Sequence, residues 1–571
     1  MGLASRLVES AQVVRSAVDR VETATALAVQ SGLVWELHAP GAWMALRQLG
    51  RGKSGPSALY RIHGANAPHK VGLVFETAQG QGARHTYGEL DELCDRIAAG
   101  LRRRGLAGGG VLVMTKNRPE TMVLGTGASR AGSAVVTISW RSTPAELAYL
   151  ANNSGARALV FDATLASTVD KARPDLAIAA DAMFALGAPV EGYRPFADLL
   201  AARPERLDAV EDGAVVIYTS GTTGKPKGAV RKFNKELVPA LLRFLRETPF
   251  RADDVHLAAC PLYHTTAFGF ISMTQILGGT VVLLDEFDPR RFLAAIERHR
   301  VTTTVLVPTM LHRLLELGDD VIRRYDTRSL RALFCTSAPL PGPDSAKAME
   351  LFGDVVFNLY GATETGIVTL AQPEDLRASP GTIGRAVAGT EVRLLDDHGR
   401  EVADGQVGEL YARNAMLVAG YHQDDDATRG SMRDGFFSVG DLARRDARGC
   451  YHLEGRKRDM VISGGVNVYP AEVEQTLEAS PDVDEVAVIG LPDRAWGERV
   501  VAVVVLRAQA PVEGADERLR AFCKERLAGP KVPRQFVVRP AGEALPRNPT
   551  GKVLKRELRA QVHGPDEAPS T

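Results

Sequence analysis

Apolar positions along most of this chain fall into two rhythms. Over Thr86–Gly105, Leu90, Leu93, Ile97 and Leu101 recur at helical spacing, which predicts a helix with one buried face. Helices are also predicted over Pro119–Ala131, Pro144–Asn152 and Pro289–His299, with another from Met310. Between them lie short apolar runs that read as buried strands: Gly108–Met114 (a turn, then a strand), Ala134–Ile138, Ala158–Phe161, Val281–Leu284 and Thr303–Val307. Strands alternating with helices imply parallel sheets covered by helices on their faces.

From Val392 to Glu409 the rhythm changes to short alternating strands with glycine turns, which predicts a small β-subdomain. After Asp459 comes a compact unit: helix Ala471–Ala479, strands Val483–Gly490 and Arg499–Leu506, helix Glu517–Leu527 and strand Gln535–Val538. It reads as a separate small α+β domain joined by a linker near Arg456–Asp459. The expected fold class is therefore α/β. A large N-terminal domain with several subdomains, parallel sheets and the small β-subdomain spans 56–457, and an α+β domain spans 458–571. An amphipathic segment, 1–55, precedes them.

Length adds that 571 residues exceed one compact core. Lysine plus arginine and aspartate plus glutamate are equal at 69 each, so no global field favours nucleic acid, and no nucleic-acid-reading motif is present. The five cysteines have neither zinc-site nor disulfide-framework spacing and read as buried residues in a reducing, cytoplasmic setting. At the N-terminus, Arg6, Glu9, Arg15, Asp19 and Glu22 rule out a signal peptide. The least polar stretch, Ala24–Trp35, is too short to span a bilayer, and Arg6 spoils a myristoylation motif. Trp35, Leu37, Trp43, Met44, Leu46 and Leu49 then leave two readings open: contact with a membrane surface, or packing on the protein itself.

The most informative segment is Tyr218-Thr-Ser-Gly-Thr-Thr-Gly-Lys-Pro-Lys-Gly228, directly after the apolar strand Ala214–Tyr218. Small hydroxyl residues and glycines let backbone N–H groups approach a polyanion, and lysines add charge. It is not a P-loop, because Lys225 is followed by proline. By itself such a loop indicates only that something polyanionic is cradled, and a solvated Gly/Ser/Thr loop is the plainer alternative.

Further segments follow in a set order: Pro261-Leu-Tyr-His-Thr265, Ser337-Ala-Pro-Leu340, Asn358-Leu-Tyr-Gly-Ala-Thr-Glu364, Ser438-Val-Gly-Asp441, Gly455-Arg-Lys-Arg-Asp459, Ser463-Gly-Gly-Val-Asn-Val-Tyr-Pro470 and Leu545-Pro-Arg-Asn-Pro-Thr-Gly-Lys552. From about Thr86 to Leu558 the chain resembles the adenylate-forming superfamily of acyl-CoA synthetases, peptide-synthetase adenylation domains and beetle luciferases. The joint occurrence of the motifs, not any one of them, carries the resemblance.

The resemblance implies roles by position. Thr219, Ser220, Gly221, Thr222, Thr223, Gly224 and Lys227 would hold the ATP phosphates. Ser337, Ala338, Pro339, Asn358, Tyr360, Gly361, Thr363 and Thr365 would line the adenine, acyl and α-phosphate sites. Thr336-Ser337 stands where Ser-Gly is commoner, a departure in the pocket wall. Asp441 would accept from the ribose hydroxyls and Arg456 would contact the nucleotide. Glu364, with Thr219, would hold Mg2+, a hard cation suited to oxygen ligands. His264 would sit beside the acyl carboxylate, and Lys552 would bridge that carboxylate and the α-phosphate.

Arg458 would be the hinge of a mobile C-terminal domain. Ser463, Gly464, Gly465, Trp496 and Lys531 would serve coenzyme A. Pro530 stands where relatives carry an aromatic residue, so stacking on the CoA adenine there is not expected.

The implied activity is ATP-dependent acyl-CoA synthesis with ATP, Mg2+ and coenzyme A. The implied partners are a small-molecule carboxylic acid and, through the N-terminal segment, a membrane surface, towards which the resemblance tips the two readings above. Phe268, Phe270 and Met310 are candidate apolar lining for a medium- or long-chain fatty acid, with aryl, bile-acid-like and sterol side-chain acids left open. An acyl-AMP ligase serving a carrier protein and a fatty-acid uptake protein are the rivals. A peptide-synthetase module is not expected, since no carrier domain follows Lys552.

Overall fold

A computed structural model of the chain describes residues 22, 25–50, 56–205, 215–219, 227–231, 237–421, 424–463, 466–493, 496–547 and 553–563. Among them, two mostly parallel sheets form the body of the N-terminal part. In the nine-stranded sheet, six strands run parallel in the order Val356–Ala362, Ala332–Thr336, Thr303–Leu306, Val255–Ala258, Thr280–Leu284 and Val71–Thr77, with antiparallel strands at both edges. The seven-stranded sheet has six parallel strands, ending with Val135–Thr137 beside Val215–Thr219, and one antiparallel edge strand, Lys227–Arg231.

The helices form where the apolar rhythm places them, and local chemistry sets their ends. Helix Tyr87–Arg103 starts at Thr86, whose hydroxyl accepts from the Glu89 amide while the Glu89 carboxylate accepts from the Thr86 amide. Thr143 and Glu146 repeat this capping box for Pro144–Asn153. Asp288 caps Pro289–His299, which ends with Arg300 in the left-handed region at φ 48°. The helix expected from Met310 begins two residues earlier, at Pro308, whose missing N–H costs nothing in a first turn.

These helices bury their apolar faces against the sheets in one continuous core that includes Leu90, Ile97, Leu112, Phe161, Leu283 and Phe292. The core also encloses charge. Arg130, 1% exposed, donates to Asp91 at 2.5 Å and to Asp95 at 3.0 Å, and Arg61 donates to Asp95 through both terminal nitrogens at 2.6 Å. Bidentate pairing of this kind satisfies guanidinium and carboxylate together, which a buried charge requires.

The antiparallel subdomain is present, built from Glu391–Leu395, Val407–Arg413 and four further strands up to Arg456. Beyond the turn Lys457–Asp459 stands a five-stranded sheet in which the hairpin Val483–Asp493/Gly497–Leu506 is central. Helices Pro470–Glu478 and Ala515–Lys524 accompany it. Among the described residues, no helix is long and apolar enough to cross a membrane. At the N-terminus, Leu27 and Met44 are buried, whereas Trp35 and Trp43 are 83% and 68% exposed. Within 25–50, Leu27 and Met44 thus pack on the protein while both indole rings face solvent.

Candidate active site

The predicted site residues follow the carboxyl ends of parallel strands, where ligands bind in open α/β sheets. His264 comes after Val255–Ala258, Ser337 after Ala332–Thr336, and Gly361–Thr365 at the end of Val356–Ala362. Because these strands are neighbours or near-neighbours in one sheet, residues about a hundred positions apart in sequence share one edge. Thr219 ends Val215–Thr219 in the other sheet. The two sheets are tied at this edge, where the Thr137 hydroxyl donates to the Tyr263 carbonyl at 3.1 Å.

His264 is the N-cap of helix Thr265–Leu277, and its ring lies 4.2 Å from that of Tyr263, centroid to centroid. The Thr266 and Ser337 hydroxyls are 2.9 Å apart, which fastens this helix start to the turn after Ala332–Thr336. Ser337 has φ 75°, a left-handed conformation that glycine adopts freely and serine does not. The departure from Ser-Gly thus has a local cost of order 1 kcal/mol, which the hydroxyl contact offsets. Ala338 is half-buried and Pro339 exposed along the same turn.

Gly361 has no room for a side chain: a Cβ there would lie 2.0 Å from the Gly366 carbonyl oxygen. That close approach folds residues 362–365 back and turns Glu364 and Thr365 into the body, 7% and 3% exposed. The Thr365 hydroxyl accepts from the Ala362 amide at 3.1 Å, and Thr363 lies in the same turn. Glu364 accepts from the Tyr421 hydroxyl at 3.2 Å. Carboxylate and hydroxyl oxygens in this turn are hard donors, the set that fits Mg2+.

Asp441 is 9% exposed and held on both sides. The Tyr360 hydroxyl donates to one carboxylate oxygen at 2.8 Å, and Arg456 Nε lies 3.1 Å from the other. Burial, then the Asp441 charge, raises the Tyr360 phenol well above its ordinary value, so it stays a donor. Tyr360, Asp441 and the half-buried Arg456 thus form one chain, with lone pairs left on the carboxylate for a further donor.

Asn358 is 2% exposed and its amide donates to the Thr382 carbonyl at 2.8 Å, which fixes its side chain at the root of this strand's motif. One expectation is corrected. Phe270 is 2% exposed and packs among Phe250, Phe334 and His256, so it does not line an acyl pocket. Phe268 and Phe270 are two positions apart on a helix, about 200° around its axis, so only one can face a cavity. Phe268 is the half-buried one, whereas Met310 is buried with its sulfur 3.8 Å from that of Cys260.

In the C-terminal part, Lys531 pairs with Glu472 at 2.7 Å and Ser463 is 1% exposed. Trp496 is 38% exposed, with the Arg534 guanidinium 3.7 Å over its ring. Arg458 follows Arg456 in the turn Lys457–Asp459, and burial pushes its guanidinium below the ordinary value. Ser220, Gly221, Thr222, Thr223, Gly224, Gly464, Gly465 and Lys552 lie outside the described residues, as do the side chains of Thr219 and Lys227. Tyr421 escaped the sequence reading because nothing in its local pattern points to Glu364, 57 positions away.

Comparison with known proteins agrees with this arrangement. Residues 61–422 match the family model described as AMP-binding enzyme, and 472–552 match the AMP-binding enzyme C-terminal domain. The chain is 35% identical over 485 residues to a feruloyl-CoA synthase of an Amycolatopsis species, covering 84% of this chain and 94% of the relative. It is 33% identical over 498 residues to the medium/long-chain-fatty-acid–CoA ligase FadD8 of Mycobacterium tuberculosis, covering 82% and 85%. The ATP-bound crystal structure of MatB from Rhodopseudomonas palustris aligns with a TM-score of 0.77 at 32% identity, over 87% of this chain and 96% of that one. The matched family models, which together cover most of the chain, and these relatives place the protein in the AMP-binding enzyme family, as an AMP-forming acid–thiol ligase that uses ATP, Mg2+ and coenzyme A.

Proposed function

We propose that the chain converts an apolar carboxylic acid, a medium- or long-chain fatty acid, to its CoA thioester through an acyl-adenylate. The observation that supports the site assignment is that His264, Ser337 and Glu364 follow the carboxyl ends of parallel strands of one sheet, with Asp441 joined to that sheet through the Tyr360 hydroxyl. The half-buried Phe268 and the similarity to FadD8 support an aliphatic acid. An aromatic acid is the second reading, favoured by the similarity to feruloyl-CoA synthase.

In the first half-reaction the acyl carboxylate attacks the α-phosphorus of ATP and pyrophosphate leaves. This chemistry needs positioning and charge neutralisation more than a protein nucleophile. The 219–228 segment holds the phosphates, Asp441 and Arg456 hold the ribose side of the nucleotide, and His264 borders the carboxylate. Lys552 bridges the two reacting groups. Glu364, with Thr219, would hold Mg2+, which when bound neutralises phosphate charge.

In the second half-reaction the CoA thiol attacks the acyl carbonyl and AMP leaves. For this the C-terminal domain (458–571) turns about Arg458, withdrawing Lys552 and presenting Ser463–Gly465. Trp496 and Lys531 border the path of coenzyme A. The N-terminal segment (1–55) rests on a lipid surface through Trp35 and Trp43, whose amphipathic rings favour the membrane interface; co-sedimentation with phosphatidylcholine vesicles tests this, and no loss on W35A/W43A substitution refutes it.

The test of function is pyrophosphate release with and without CoA across aliphatic acids of rising chain length and a hydroxycinnamate. Turnover of aliphatic acids with CoA is expected, abolished in Lys552→Ala. Preference for the hydroxycinnamate selects the second reading. Pyrophosphate release without any CoA thioester points to a carrier-protein acceptor, and turnover of none of the acids overturns the proposal.

A further inference from the structure

Glu364 is buried, and what holds its carboxylate lies far away in sequence. The Tyr421 hydroxyl donates to Glu364 Oε1 at 3.2 Å. The Tyr421 ring is itself confined: it meets Phe437 edge-on at 6.0 Å and packs with Ala229 and Val418. The backbone repeats the tie, since the Val418 amide donates to the Glu364 carbonyl at 2.9 Å. The segment 418–421 is also laced to strand Lys227–Arg231, which leads out of the phosphate-loop sequence. Ala229 bridges Tyr421, the Val230 amide donates to the Gly420 carbonyl at 3.2 Å, and the Ala419 amide donates to the Val230 carbonyl at 3.1 Å. One short segment therefore sets the spacing between the exit of the 219–228 region and the Glu364 carboxylate.

We propose that Tyr421 is a positioning residue for Mg2+–ATP, fixing the rotamer of Glu364 and its distance from the phosphate-loop exit strand. The proposal rests on the reading of Glu364 as the Mg2+-holding carboxylate. A phenol suits the task better than a basic side chain. Lysine or arginine would hold the carboxylate equally well but cancel the charge that attracts a cation, whereas a neutral hydroxyl orients one lone pair and leaves the full charge. Gly420, directly before Tyr421, has φ 145°, a conformation open to glycine and rare for other residues.

The test compares wild type, Tyr421→Phe and Glu364→Gln by the rise in melting temperature with ATP alone and with ATP over a Mg2+ titration. The Mg2+ dependence of pyrophosphate release is followed in parallel. Tyr421→Phe keeps the ring and removes one hydroxyl. It is expected to raise the Mg2+ concentration for half-maximal stabilisation several-fold while leaving the shift with ATP alone unchanged. Excess Mg2+ is expected to restore pyrophosphate release, and CoA thioester formation from supplied acyl-adenylate should stay near wild type. A merely structural tyrosine would lower the melting temperature without moving the Mg2+ midpoint, and that result overturns the proposal. If Glu364→Gln moves the midpoint and Tyr421→Phe does not, the positioning role alone is wrong. If neither moves it, the assignment of Glu364 is wrong and the proposal falls with it.

Discussion

Raising the pH should loosen the contact between the two parts of the protein, and His312 is the reason. It lies on helix Pro308–Leu315, with Nδ1 3.1 Å from Asp344 and Nε2 3.6 Å from Asp484 of the C-terminal part; Glu316 on its own side is 4.0 Å away. The hydrogen bond to Asp344 comes first in raising this imidazole from 6.5 to about 9, against a burial effect that lowers it. Opposite it, burial, then Glu474 and Asp344, push Glu478 up to about 7. One imidazolium thus faces several carboxylates, and two cations of the C-terminal part also pair in this cluster, Arg507 at 3.9 Å from Asp484 and Lys555 at 2.7 Å from Glu474.

The signs agree. A histidine raised in the folded state contributes stability that is fully present below pH 6.5 and lost as pH rises through about 9. A raised carboxyl likewise favours the protonated, low-pH side. Moving an imidazole from 6.5 to about 9 is worth at most about 3 kcal/mol. A quarter of the side chain is exposed, so screening reduces this to about 1–2 kcal/mol. Most of that belongs to Asp344 within the N-terminal part. The share across the contact, through Asp484, is about 0.5–1 kcal/mol, the worth of a partly exposed pair at 3.6 Å.

Urea unfolding at pH 6 and pH 9.5 should therefore show wild type losing about 1–2 kcal/mol more than His312→Gln. Asp484→Asn should lower the pH 6 value by under about 1 kcal/mol and lose its effect at pH 9.5. Equal losses in wild type and His312→Gln would refute the assignment.

Other outcomes follow from single contacts. Tyr360→Phe removes the donor to buried Asp441, a charge-assisted bond worth about 1.5–3 kcal/mol. The KM for ATP should rise about tenfold or more, and an unchanged KM with lowered stability would make the contact structural only. Ser337→Gly should unfold about 1–2 kcal/mol later than Ser337→Ala, because both lose the Thr266 contact but only glycine relaxes φ 75°; equal midpoints would contradict the strain. Gly361→Ala should cost several kcal/mol or prevent folding, since its Cβ would meet backbone rather than a yielding side chain. Arg130→Met leaves Asp91 and Asp95 short of a partner and should cost about 3–5 kcal/mol by denaturant titration.

Local physics was legible in the residues. The helices over 86–105 and 289–299 and the strands over 281–284 and 303–307 stand within a residue or two of where the apolar rhythm puts them. Their spacing and their end signals act over a few positions. The motif order also identified the chemistry, because each motif is a contiguous string. What needed the fold were facts about who faces whom. Phe268 and Phe270 carry the same side chain, and only the packing of helix Thr265–Leu277 on the sheet decides that Phe270 goes into the core. Asn358 sits within a site motif, and only the fold shows that its amide meets the Thr382 carbonyl, 24 positions away.

Tyr421 beneath Glu364, Tyr360 against Asp441 81 positions on, and Asp484 against His312 are invisible to any local pattern. Sequence alone determined the elements and the reaction class, because those depend on neighbours along the chain. The order of strands in the sheets decided which distant side chains meet, because that order sets where each strand's carboxyl end lies, and with it the partners that hold Glu364 and Asp441 in place.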